Sequence, residues 1–188
     1  MKAILQPIHP EHCANILSGR KTIELRKRIP KIELPYKVYT YCTKPNTTNP
    51  KEYLEIPCSG RIYKGNGKVV GEYICRDISE YEFITNPWIV YYNSYKISKL
   101  DLMRLSLSLA DIHNYGKGKT LYGMHISDLV IYDRPKELSE FYRLLCEKNS
   151  CENCFINEEC NKYGTVCYYR QEITRPPQSW CYVEEVKQ

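Results

Sequence analysis

At 188 residues, with 43% apolar and 26% charged side chains, the chain can bury a core of its own and does not need disulfides to fold. No stretch approaches the roughly 20 apolar residues that span a bilayer, and the segment after Met1 lacks the apolar run of a secretory signal, so a soluble, cytoplasmic protein with no membrane partner is expected. The net charge of +5 is local: residues 20–37 hold seven basic and two acidic side chains, leaving the remainder balanced at 20 each. A focused basic run suits a polyanion, nucleic acid being the commonest; it equally suits a solvated strand edge that blocks aggregation.

Residues 2–8 read as a first strand, broken off at Pro7. Pro10 suits a first helical turn, Cys13, Ile16 and Leu17 share a helical face, and Gly19 stops that short helix. A second strand starts at about Lys21, with Ile23 and Leu25 on one face and Thr22, Glu24 and Arg26 on the other, until Pro30 and Pro35 end it. Residues 38–43 alternate as a third strand, and 44–57 form a polar loop. Gly65-Asn66-Gly67 predicts a hairpin of 61–63 with 68–75. Leu102, Leu105 and Leu109 fall in register and predict one helix over 98–112. Residues 121–132 read as a strand, 136–145 as helical, and 180–184 as the last strand. Strands dominate without a βαβ rhythm, so the class is α+β, compatible with a small β-barrel flanked by short helices. Among eighteen tyrosines, Tyr36, Tyr39 and Tyr41 lie beside the basic run and are candidates to stack on bases.

Five of the ten cysteines lie between positions 146 and 167. Cys151-x-x-Cys154 is followed after five residues by Cys160 and after six more by Cys167. A CxxC turn aims two thiolates at one point, and two further cysteines complete a tetrahedral zinc site, with Cys146 or Cys181 as possible substitutes. The polar residues 147–150 cannot build an apolar core, so structural zinc is the expected cofactor. Disulfides and an iron–sulfur cluster are the alternatives. This divides the chain into a main unit over 1–145, a Cys-rich insertion over 146–175, and a final strand and tail over 176–188.

The stretch Gly19-Arg20-Lys21-Thr22-Ile23-Glu24-Leu25-Arg26 joins the first helix to the second strand. Glycine permits the tight turn, Lys21 stands at the strand mouth, and Glu24 and Arg26 project to one side. Lys binds phosphate as a point charge and Arg as a fork, while Glu24 can orient both or accept hydrogen bonds from a base edge. Gly19, Lys21, Thr22, Glu24, Arg26 and Arg28 are therefore the candidate nucleic-acid contacts. The bland alternative is an exposed Glu/Arg pair worth ~0–1 kcal/mol.

These residues resemble the ASCH-domain signature Gly-x-Lys-x-x-Glu-x-Arg, matched at Gly19, Lys21, Glu24 and Arg26. Pro10-Glu11-His12, Val70-Gly71-Glu72-Tyr73, Leu121-Tyr122-Gly123-Met124-His125-Ile126 and Arg175-Pro176-Pro177-Gln178-Ser179-Trp180 are similar to segments of a bacterial and phage branch of that family. The resemblance implies a PUA-like β-barrel with a cleft beside the motif, and an RNA-related role.

The first expectation is thus an RNA- or nucleotide-binding protein with a basic cleft around Lys21, Glu24 and Arg26. The second is an enzyme of the two kinds the resemblance implies. A ribonuclease would use Lys21 to stabilise charge and Glu24 as general base. The small acetylcytidine amidohydrolases are similar over residues 19–23, but their Thr nucleophile falls at the position that here holds Glu24, which has no hydroxyl. His9, His12, His113 and His125 are candidates for acid–base work, though no pair has diagnostic spacing. The third expectation is a zinc-containing regulatory adaptor.

Overall fold

Strand β1 (Ala3–Ile8) lies inside a ten-stranded sheet in the computed structural model, which describes residues 3–45, 53–58, 60–83, 90–92, 95–144 and 170–186. Helix α1 (Pro10–Leu17) and strand β2 (Ile23–Arg26) follow, and β3 (Tyr36–Cys42) returns parallel to β1, from Ala3↔Lys37 to Ile8↔Cys42. A parallel return needs a crossover of this length, which α1 and β2 supply. The last strand, β12 (Cys181–Val183), pairs antiparallel on the other edge of β1. Both edges of β1 are therefore occupied, and Ile4, Leu5 and Gln6 are completely buried.

Between them run a small hairpin, β4 (Glu55–Cys58) with β5 (Arg61–Lys64), and the long β6 (Lys68–Phe83). Strands β7 (Val90–Tyr92) and β8 (Tyr95–Lys96) extend the far end of β6. Helices α2 (Lys99–Leu105) and α3 (Leu109–Gly116) precede the second long strand, β9 (Leu121–Lys136). Strand β9 pairs with β6 through several register shifts and takes β2 on its other side. At one shift β9 presses on Gly71, where a Cβ would stand 2.4 Å from the Val130 carbonyl oxygen. Strands β10 (Tyr142–Leu144) and β11 (Arg170–Glu172) add the outer edge beyond β12.

The class is α+β as expected, but the barrel is not closed among the described residues. No ladder joins β2 back to β1; side chains span that gap, with Arg26 Nη2 donating to the Pro7 carbonyl at 2.7 Å and Gln6 Nε2 to Met124 Sδ at 3.5 Å. Strand β2 is four residues long, and just before it the Thr22 amide bonds the Arg104 carbonyl near the end of α2.

Four local expectations are corrected. The Gly65-Asn66-Gly67 turn does not fold 61–63 onto 68–75: β5 pairs with β4, inside the expected loop, and β6 pairs with β3 and β9. The helix expected over 98–112 is two helices, because Ser106 takes a left-handed conformation (φ 51) and Ser108 starts a new one. Each carries a Ser-x-x-Asp capping box, Ser98 with Asp101 and Ser108 with Asp111. Of the residues 136–145 expected to be helical, 136–144 are the end of β9, a 3₁₀ turn at Leu138–Glu140 and strand β10. Tyr36, Tyr39 and Tyr41 are at most 3% exposed and belong to the core, so they offer no stacking surface. Their apolar rings fill the sheet faces and outweigh a polar tip that can be satisfied inside, as where the Tyr39 hydroxyl accepts from the Val186 amide.

Cys146, Cys151, Cys154, Cys160 and Cys167 lie outside the described residues. Cys13, Cys42, Cys75 and Cys181 are buried free thiols, and Cys181 packs in the apolar cluster of Leu5, Phe141 and Val183. Among the described residues no group of three or more His, Cys, Asp or Glu side chains is placed to hold a metal, and no helix is long and apolar enough to cross a membrane.

Candidate functional site

The turn out of α1 sets the position of the motif. The Ser18 amide bonds Ala14 O at 3.0 Å, the Gly19 amide Ile16 O at 2.9 Å, and the Lys21 amide Asn15 O at 2.9 Å. Gly19 sits at φ +72 with nothing within 4 Å of a would-be Cβ, so backbone conformation and not crowding calls for glycine there. Thr22 then bonds α2 through its amide and the Ile126 amide through its carbonyl. Strand β2 pairs with β9 from Ile23↔His125 to Arg26↔Tyr122.

This packing buries what the sequence alone put on a surface strand. Lys21 is 2% exposed and Glu24 4%. Lys21 Nζ donates to the Leu105 carbonyl at 2.5 Å, where α2 ends and its dipole favours a cation, and stands 3.4 Å from Glu24 Oε2. Glu24 Oε1 lies 3.0 Å from Arg26 Nη2. The three form one buried chain, Lys21–Glu24–Arg26, tied to β1 by the Arg26 bond to Pro7. Burial lowers the Lys21 pKa, with the Glu24 carboxylate opposing that shift. Arg26 Nε is buried without a hydrogen-bond partner.

The chain forms the floor of a cleft of about 600 Å³. One wall is the end of β1 and the start of α1, with His9, Glu11 and His12; the opposite wall is the α2–α3 turn and α3, with Ser106, Asp111, Asn114 and Tyr115. The Pro176-Pro177-Gln178 segment and Thr43 close one end. His12 Nδ1 is buried without a partner, and burial, reinforced by the Lys21 charge, lowers the pKa of this imidazole.

Of the six candidate contacts, Lys21, Glu24 and Arg26 line the cleft together, while Gly19, Thr22 and Arg28 lie outside the lining. The remaining basic run is dispersed: Lys37 pairs with Glu72 at 2.9 Å and Glu185 at 3.1 Å, and Lys27 Nζ lies over the Tyr115 ring at 4.7 Å. His12 is one of the four histidines weighed for acid–base work, whereas Asp111, Asn114 and Tyr115 of α3 are not singled out by the sequence. The two Ser-x-x-Asp repeats, Ser98/Asp101 and Ser108/Asp111, are the signal that marks the start of α3. A second polar group, Ser79 Oγ at 2.5 Å from His125 Nε2 with Asp77 at 3.8 Å from that same nitrogen, is not a hydrolytic triad. A triad needs the acid on the other ring nitrogen, and Ser79 is fully buried.

No protein-family model and no curated protein matches the chain. Solved structures do. The crystal structure of ASCH from Zymomonas mobilis superposes with a TM-score of 0.55 at 19% identity, over 98% of this chain and 89% of that one. The chain has the ASCH fold. Two mutants of the Zymomonas mobilis protein, one with tyrosine replaced by phenylalanine and one with serine replaced by alanine, match at TM-scores of 0.52 and 0.54, each at 17% identity over 98% of this chain and over 92% and 89% of theirs. At these identities the likeness is one of fold, and it extends over nearly the whole chain. The resemblance carried by Gly19, Lys21, Glu24 and Arg26 is borne out at that level.

Proposed function

We propose that this ASCH-fold protein binds RNA or a nucleotide in the cleft floored by Lys21, Glu24 and Arg26. The observation that carries the reading is a set of unspent donors at the bottom of a nucleotide-sized hollow. The Lys21 ammonium has three N–H donors, of which Leu105 and Glu24 take two directions. Arg26 divides Nη2 between Glu24 and Pro7 and keeps Nε unpartnered. Buried donors without partners are uncommon because each costs desolvation energy of about 1–3 kcal/mol. A phosphate or a base acceptor entering from above would satisfy them, and Glu24 keeps the cations in place while the cleft is empty. Titration of a fluorescent single-stranded RNA and of mononucleotides against wild type and Lys21→Met is the test. Binding at low salt that weakens with added salt, and is lost in the variant, is expected. No binding of either ligand at low salt sinks the reading.

A specific observation also favours a hydrolase acting on RNA or a modified nucleoside. His12, held toward its neutral form with Nδ1 unpartnered, lines the same cleft as Lys21. A neutral imidazole beside a cation has the make-up of a general base next to a charge stabiliser. Glu24 suits the base role less well, since both its oxygens already face cations. Incubation with labelled RNA and with acetylcytidine, beside His12→Ala and Lys21→Met, separates binder from enzyme. Turnover that survives both substitutions would remove this site from the chemistry.

We also propose that Cys151, Cys154, Cys160 and Cys167 hold a structural zinc ion, on the strength of their spacing. Metal analysis of reduced protein giving no stoichiometric zinc rejects this.

A further inference from the structure

The cleft does not end at its rim. A second hollow of about 750 Å³ shares Thr43 and Pro176 with it. A third, of about 370 Å³, shares Glu137 with the second. A fourth, of about 440 Å³, shares Arg134 and Pro135 with the third. Strand register explains the continuity. Cys42 pairs with Lys68 and Val69 with Lys136, so the ends of β3, β6 and β9 lie side by side, and crossing them takes two strand spacings, roughly 10 Å.

The fourth hollow differs in charge from the rest. Its lining holds four cations, Arg61, Lys64, Lys68 and Arg134, and no carboxylate. Arg61, Lys64 and Arg134 are exposed and have no described carboxylate partner within ion-pair distance, although Glu55 faces Lys64 across the β4–β5 hairpin. Lys64 lies 6.0 Å from the centre of the Tyr53 ring. Lys68 is held by Glu137 at 2.7 Å, a solvent-screened surface pair of the kind that contributes little and is readily exchanged for another anion. The middle hollows are balanced, with Glu137, Glu140 and Glu172 set against Lys44, Arg134, Lys136 and Arg175, and Leu138 and Pro176 give them an apolar floor.

We propose that a single-stranded RNA seated in the Lys21 cleft continues along this groove, with a sugar and base over the middle and its next phosphates on Arg61, Lys64 and Arg134. This rests on the cleft reading above and extends it from a nucleotide to a strand. The β4–β5 hairpin thereby acts as an electrostatic clamp on a ligand whose specific contacts are made elsewhere.

The test compares an oligouridylate of about eight nucleotides with uridine monophosphate, each titrated over a salt series against wild type, the triple variant Arg61→Ser/Lys64→Ser/Arg134→Ser, and Lys21→Met. Each lost phosphate contact removes about 0.7 from the slope of log affinity against log salt for a single strand, so the triple variant is expected to lose about 2 from the slope with oligouridylate. Its affinity for the monophosphate should equal that of wild type, and Lys21→Met should weaken both ligands. An unchanged oligonucleotide slope in the triple variant overturns the groove while leaving the cleft standing. Absence of monophosphate binding in wild type overturns the cleft instead. Polyglutamate displacing the oligonucleotide as well as unlabelled RNA does would also overturn the groove, since it would show a surface for acidic protein. The three substituted side chains are exposed, and a thermal melt equal to wild type checks that the variant folds.

Discussion

Replacing Glu24 by Gln keeps the shape of the side chain and removes the single negative charge between two buried cations. Glu24 stands 3.4 Å from the Lys21 ammonium and 3.0 Å from the Arg26 guanidinium. At an effective dielectric constant near 20, each contact is a gross attraction of about 5 kcal/mol, most of it offset by the cost of taking the ions out of water. Removing the shared partner leaves that cost standing on both cations, and the expected net loss is about 3–5 kcal/mol. Against a total stability of about 5–15 kcal/mol this is a large fraction, and for a chain of this length it lowers Tm by about 6–20 °C. Lys21→Met should cost less, about 1–3 kcal/mol, because Glu24 keeps Arg26 while only the Leu105 carbonyl and one carboxylate oxygen lose a donor. Urea unfolding followed by tyrosine fluorescence measures both. A Glu24→Gln loss under about 1 kcal/mol, or a larger loss for Lys21→Met, would refute the idea that Glu24 is the hub of a buried ion chain.

Further outcomes are expected. Burial lowers the pKa of both His12 and His125, so their contribution to stability is full above about pH 6.5 and is lost as pH falls through the depressed folded-state values. Melting at a series of pH values from about 7.5 down to 5 should show a falling Tm that His12→Gln makes shallower; a flat profile contradicts the burial of these rings. Ser108→Ala removes the capping box of α3 and should cost about 0.5–2 kcal/mol, and it should also weaken any ligand of the cleft, since α3 carries Asp111, Asn114 and Tyr115 into the lining. Gly71→Ala sets a methyl against the Val130 carbonyl oxygen and should destabilise by about 1–3 kcal/mol or more in urea melts; wild-type stability would mean that β6 and β9 separate easily at that point.

The local pattern in the sequence located the parts of the fold that depend on near neighbours. The α1 stop at Gly19, the alternation of β2 and the long apolar strand from Leu121 all follow from spacing within a few residues. What was not legible depends on pairing across distance. Nothing near Gly65-Asn66-Gly67 says that β5 turns back to β4 and leaves β6 to β3 and β9. Leucines at helical spacing from 102 to 109 hide a break that only the Ser108 cap and the left-handed Ser106 reveal. At the site, Glu24 and Arg26 came together because they alternate on one short strand, and Lys21 joins them from the turn just before it. Their burial was illegible, since α2 covers Lys21 from more than eighty residues away in sequence, and the His12 and α3 walls arrive by the same tertiary route.

The pairing of β10 with β11 has a consequence for how this chain tolerates change. Leu144 faces Arg170 across that ladder, so the chain leaves and re-enters the sheet at neighbouring points on its outer edge, beyond β12. The junction is a socket: each doubling of the length between such anchored ends adds only about 0.6 kcal/mol of closure entropy. Leu144 and Arg170 stand close enough for a short glycine–serine turn to join β10 to β11 as a hairpin. The outer rim of the sheet is thus a place where the length of chain between two strands can change at small entropic cost, much as a hem can be let out without recutting the cloth.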